Sequence, residues 1–150
     1  MRQKYITINK TLSLALQNHR KNNFKIAENL YREILTIDPN HLKSIFLLGS
    51  LLMQVKNFDE AKRLLQKAIR IQPDHADAHN NLGLVFKGLG ERQKTISYCQ
   101  KAIEIQPNHA DAHNNLGLVF QELREHHKAI NYCQKAVEIQ PNHAAAHNNL

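Results

Sequence analysis

HADAHNNLGLVF occupies His75–Phe86 and returns unchanged at His109–Phe120; a third, shorter copy, HAAAHNNL, fills His143–Leu150. Working outward, Pro39, Pro73, Pro107 and Pro141 stand 34 residues apart, and the text between them is similar from one interval to the next. A fixed period of this length marks one supersecondary unit copied end to end, which cannot bury its apolar side without its neighbours. In the first half of a unit, His79, Leu82, Gly83 and Phe86 fall at i, i+3, i+4 and i+7, a single stripe of an α-helix. Ala61, Leu64, Leu65, Ala68 and Ile69 do the same in the second half of another. Each unit is therefore expected to be two antiparallel helices.

The chain divides into 8–41, 42–75, 76–109 and 110–143, followed by 144–150. The marks within 42–75 are Ile45, Leu48, Gly49, Leu52, Ala61, Leu65, Ala68 and Pro73. In the next unit they are His79, Leu82, Gly83, Phe86, Thr95, Cys99, Ala102 and Pro107; then come His113, Leu116, Gly117, Phe120, Ala129, Cys133, Ala136 and Pro141. This succession resembles the tetratricopeptide repeat, with its large residue, Leu-Gly, aromatic, small residues and closing proline over 34 positions. The resemblance implies an all-α fold, a right-handed α-solenoid of antiparallel helix pairs, with residues 1–150 forming a single array. Unit 8–41 is the most divergent and is read as an N-terminal cap, and 144–150 as the start of a truncated fifth repeat.

Gly49, Gly83 and Gly117 lie inside helices, where glycine costs about 1 kcal/mol against alanine, so a close approach of the partner helix is expected there. Gly90 is placed for a left-handed helix end. Asp74, Asn108 and Asn142, each following a proline, are expected to cap the next helix.

The composition excludes several classes of function. No stretch reaches the ~20 apolar residues that span a bilayer. The basic start, MRQKYITINK, leads into TLSLALQ, too short and polar for a signal-peptide core, so a cytoplasmic setting is expected. Cys99 and Cys133 hold the same position in consecutive repeats and are read as small buried hydrophobes rather than a disulfide. The pairs His75/His79, His109/His113 and His143/His147 are spaced i, i+4, but zinc needs three or four ligands and no Glu follows the first His as in zincins. The sequence calls for no cofactor, and with no phosphate loop or nucleophile elbow it is not an enzyme by itself.

Lys and Arg against Asp and Glu number seven to three in residues 1–41 and three to four in 110–143, within a chain of net charge +7. That gradient could steer an acidic partner. Lys62, Arg63, Lys67 and Arg70 fall on a second helix with few aromatics between them, so nucleic-acid binding is not expected.

The resemblance places the second, sixth, ninth and thirteenth positions of each unit on a concave groove. In the last two full units these are Asp77, Asn81, Leu84 and Gly88, then Asp111, Asn115, Leu118 and Glu122. Asparagine doubles, Asn80-Asn81, Asn114-Asn115 and Asn148-Asn149, recur there. An amide side chain both donates and accepts, so a row of them at the repeat spacing could grip an extended backbone if the amides are free. Asn81, Asn115 and Asn149 resemble the asparagine ladder of O-linked N-acetylglucosamine transferases. The carboxylate clamp of chaperone-binding members is not matched, since its positions read Leu12, Leu16, Asp111 and Asn115. The expected function is a protein-interaction scaffold that takes a peptide or partner protein in the groove. The opening residues also resemble the arrays of large bacterial proteins, which would make the chain the substrate-recognition arm of a glycosyltransferase or sulfotransferase. Self-association through open repeat ends is a third expectation.

Overall fold

The computed structural model describes residues 2–150, and the chain divides into two compact units, one ending at Pro73 and the other Asp74–Leu150. The first holds α1 (Arg2–Arg20), α2 (Phe24–Ile37), α3 (Leu42–Gln54) and α4 (Phe58–Ile71). The second holds α5 (Ala76–Gly88), α6 (Arg92–Ile105), α7 (Ala110–Glu122), α8 (His126–Ile139) and α9 (Ala144–Asn148). No strand occurs among the described residues. Within each unit, consecutive helices form hairpins, α1 on α2, α3 on α4, α5 on α6 and α7 on α8, and each hairpin packs on the next through α2 and α3 or through α6 and α7. The fold is the α-solenoid class that the 34-residue period implied, except that α1 begins at Arg2, six residues ahead of the first repeat boundary.

The hairpin turns share one backbone device. Asn22, Lys56, Gly90 and Arg124 all adopt positive φ, between 60° and 78°. In each case the next N–H donates back to a carbonyl five residues earlier, as Glu91 to Phe86 and Glu125 to Phe120, both at 2.9 Å. This is the Schellman ending, which satisfies carbonyls the last helical turn leaves open. Gly90 takes the left-handed conformation at no steric cost, whereas Lys56 and Arg124 adopt it against their Cβ.

The helix starts differ from expectation. Asp74, Asn108 and Asn142 do not cap: they sit in tight turns with the preceding proline, closed by bonds such as His109 N–H to the Gln106 carbonyl at 3.0 Å. The cap falls one residue later, on histidine. Nδ1 of His41, His75, His109 and His143 accepts from the backbone N–H of Ser44, Ala78, Ala112 and Ala146, at 3.1–3.3 Å. A ring nitrogen thus takes the place of the side-chain oxygen that usually satisfies a first-turn donor.

In the second unit the core between hairpins is Ile96 and Cys99 of α6 with Leu116, Val119 and Phe120 of α7 and Ala129 of α8. The glycines permit this closeness. A Cβ on Gly83 would stand 2.9 Å from Cys99 Sγ, and one on Gly117 would collide with Cys133 Sγ and lie 3.2 Å from the Ala129 carbonyl oxygen. Both cysteines are free and buried, and burial pushes the Cys99 thiol up to about 12, so it stays protonated and packs as a hydrophobe.

In the first unit, Arg32 lies 2.9 Å from both Glu28 and Glu60, joining α2 to α4. Hydrogen bonding to that guanidinium holds the Glu60 carboxyl below the usual range.

Candidate functional site

The groove positions of the second unit fall on the first helices α5 and α7. Seven residues separate Asp77 from Leu84 and Asp111 from Leu118, so at ~100° per residue each pair shares one helix face. Leu84 and Leu118 are half-buried, and Asp77 and Asp111 are exposed.

Each of these aspartates is clasped by a capping histidine of the next repeat. Because Nδ1 of His109 accepts from Ala112, the hydrogen-bond pattern assigns the ring proton to Nε2, which donates to Asp77 Oδ1 at 2.9 Å. His143 treats Asp111 the same way at 2.8 Å. The histidine side chains are 6% and 8% exposed, the aspartates 63% and 69%, so a buried ring fixes an exposed carboxylate. A polar cavity of about 330 Å³ opens beside this clasp, with Asp77, His109, Asp111 and Gln140 in its wall.

The asparagines correct the expectation of a free ladder. Asn115 Nδ2 donates to Asn80 Oδ1 at 2.9 Å, and Asn149 Nδ2 to Asn114 Oδ1 at the same distance. Asn80, Asn114 and Asn115 are 4%, 5% and 7% exposed. Asn80 and Asn114 are therefore buried acceptors rather than groove surface, and Asn115 is a staple between repeats. Asn81 and Asn149 are half-buried. The physical reason is the offset of 35 residues: the second asparagine of one repeat meets the first asparagine of the repeat before it.

We expect Asn115→Ala to destabilise the protein by about 1–3 kcal/mol, the usual cost of depriving a buried acceptor of its donor, since it leaves the Asn80 oxygen only the weak Cys99 thiol at 3.9 Å. Urea unfolding measures this, and a change within about 0.5 kcal/mol, as for ordinary surface positions, would show the staple to be idle.

The i, i+4 histidine pairs are committed separately. His109 holds Asp77 and its own helix cap, while His113 lies 2.9 Å from the Pro107 carbonyl through Nε2 and sits tilted against Tyr132, 6.0 Å away. Among the described residues no group of three or more His, Cys, Asp or Glu is placed to hold a metal ion. Nor is any described helix long and apolar enough to cross a membrane. Glu122, at the end of α7, meets Lys87 at 3.3 Å and Arg92 at 3.4 Å, exposed pairs worth about 0–1 kcal/mol.

Sequence reasoning missed the histidine–aspartate clasp. Its signal was present as an Asp two residues beyond each helix-capping His of the HADAH motif, paired with a His 32 residues later.

Family comparison places this arrangement. The sequence patterns of the tetratricopeptide repeat match residues 76–109 and 110–143, and a further one matches 19–83. Solved structures agree. A MamA structure is 30% identical, with 90% of this chain aligned to 79% of that one at a TM-score of 0.76. MamA from Desulfovibrio magneticus RS-1, 22% identical, shares the fold at a TM-score of 0.80, with 91% of this chain covering 77% of that one. A mutant O-GlcNAc transferase from Thermobaculum terrenum is 26% identical at a TM-score of 0.80; 88% of this chain covers 26% of it. No curated protein sequence matches the chain significantly. The chain belongs to the tetratricopeptide repeat family. Repeats of this family are typically non-catalytic and serve as protein-interaction scaffolds.

Proposed function

We propose that the second unit holds an extended segment of a partner protein along the first-helix face of α5 and α7. Leu84 and Leu118 provide apolar seats one repeat apart, with Asp77 and Asp111 beside them and Asn81 along the same line, while Asn115 and Asn149 support that face through their bonds to Asn80 and Asn114. The observation that carries this reading is the repetition: the same residue types stand at the same helical positions in α5 and α7, and both aspartates are fixed by buried histidines. Preorganised polar groups raise affinity because they lose little freedom on binding. The polar cavity beside Asp77 and Asp111 can receive backbone or side-chain groups of the segment.

The test is a fluorescence titration of a pooled library of extended peptides against the wild type and a Leu84→Ser, Leu118→Ser double variant. Both leucines are only half-buried, so the helical circular dichroism should persist. Affinity should fall by about tenfold or more, equivalent to about 1.4 kcal/mol. Unchanged affinity in a folded double variant would overturn the proposal.

A further inference from the structure

In the second unit each second helix balances its own charges. Lys94 and Lys101 of α6 pair with Glu91 and Glu104, and Lys128 and Lys135 of α8 pair with Glu125 and Glu138. Helix α4 departs from that pattern: at the positions of Lys101 and Glu104 it carries Lys67 and Arg70, with Arg63 one turn ahead of them. Asp59, four residues before Arg63, lies 3.9 Å from Lys62, and Glu60 is held by Arg32 of α2 at 2.9 Å. Lys67 reaches a backbone oxygen, that of Pro39, at 2.6 Å. Among the described residues Arg63 and Arg70 form no ion pair.

At ~100° per residue, Arg63, Lys67, Arg70 and Ile71 fall within one sector of α4, turned away from the buried Ala61, Leu65 and Ala68. Arg63 and Arg70 are exposed, and Ile71 is 41% exposed, whereas Ile105 and Ile139 at the same repeat position are half-buried. Like charges three and four residues apart repel on a helix surface, so the run Arg63, Lys67, Arg70 is carried at a cost to α4. The rest of the first unit does not offset it. Residues 1–73 hold thirteen Lys and Arg against five Asp and Glu, and residues 74–150 seven against eight.

We propose that this outer face of α4 docks an acidic amphipathic helix of a partner protein, one that carries an aliphatic residue beside its carboxylates. The three cations rise one helical turn at a time, a spacing that carboxylates one turn apart on a second helix can match. Ile71 at the end of the run gives the partner's aliphatic residue a seat. A nucleic acid would find no aromatic side chain in this run on which to stack a base, and one isoleucine is too little apolar surface to enter a membrane interface. The partner's carboxylates remove the repulsion that α4 bears alone, and the contact weakens with salt because the cations are exposed.

Fluorescence anisotropy on the purified chain tests this with a labelled helical peptide bearing Glu at i, i+4 and i+7 and Leu at i+8, the spacing of Arg63, Lys67, Arg70 and Ile71. Affinity should fall as salt rises, and by about tenfold or more in an Arg63→Glu, Arg70→Glu double variant. Arg63→Gln with Arg70→Gln supplies the same comparison should charge reversal disturb the helical circular dichroism. Ile71→Ser should weaken binding by about threefold, and a peptide of the same composition in shuffled order should bind less tightly than the ordered one. The Leu84→Ser, Leu118→Ser double variant should bind the peptide as the wild type does, which separates this face from the groove of α5 and α7. Unchanged affinity in both arginine double variants, equal binding of the shuffled peptide, or loss of binding in the leucine variant would each overturn the proposal. Tighter binding of a single-stranded DNA oligonucleotide or of phosphatidylserine vesicles, lost in the same arginine variants, would overturn it in favour of a different partner.

Discussion

Leu116→Ala should lower stability by about 2–5 kcal/mol, the range found for truncating fully buried leucines. Leu116 is 0% exposed and belongs to the cluster that joins Ile96 and Cys99 of α6 to Ala129 of α8. Its loss therefore opens a cavity where two repeats meet, and in a repeat protein such interfaces carry most of the stability. Leu82, equally buried in α5, should respond alike. Urea denaturation at neutral pH measures both. A loss below about 1 kcal/mol for Leu116→Ala would place it among ordinary substitutions and contradict the packing described.

Gly117→Val should cost about 1–3 kcal/mol through overpacking. The new Cβ collides with Cys133 Sγ and lies 3.2 Å from the Ala129 carbonyl oxygen, and that backbone cannot retreat without moving α8 away from α7. Gly117→Ala should cost less, because a helix gains about 1 kcal/mol when alanine replaces glycine. Gly49→Ala should be milder still, since its nearest neighbour is a side-chain atom, Leu65 Cγ at 3.0 Å. Removing the opposing sulfur isolates the contact: Cys133→Ala combined with Gly117→Val should be less harmful than the sum of the two single changes. Strict additivity would mean the glycine is not there to admit the sulfur.

These two expectations rest on features legible in the sequence. The 34-residue period and the i, i+3, i+4, i+7 stripes of apolar residues determined the helix pairs, and glycines inside helices pointed to close approach. What escaped was polar geometry between repeats. Asn115 could be assigned to a groove position from its place in the repeat, but only the folded chain shows that the Asn80 amide oxygen stands 2.9 Å from it. The capping residue was misplaced by one position because Asn and Asp are the usual caps, whereas here they are held in the proline turn and a histidine nitrogen does the capping. Lys56 and Arg124 in the left-handed conformation gave no sequence signal, since of the four turn residues only Gly90 and Asn22 are of types that favour it.

The histidine clasp and the asparagine bonds together set the polar contacts of α5 and α7. Had the asparagine amides been free, they would have offered backbone recognition indifferent to partner sequence. Asn115 and Asn149 are instead bonded to asparagines of the repeat before them. The first of these bonds ties α7 to α5, and the second ties Asn149, just past α9, to α7.

The most direct test of a binding face on α5 and α7 is backbone amide chemical-shift mapping of the wild-type protein titrated with a peptide selected from the library. The account predicts that the largest perturbations fall at Asp77, Asn81, Leu84, Asp111, Asn115 and Leu118. Perturbations confined to the hollow of about 480 Å³ formed by His113 of α7 with Lys128, Asn131, Tyr132 and Lys135 of α8 would contradict it.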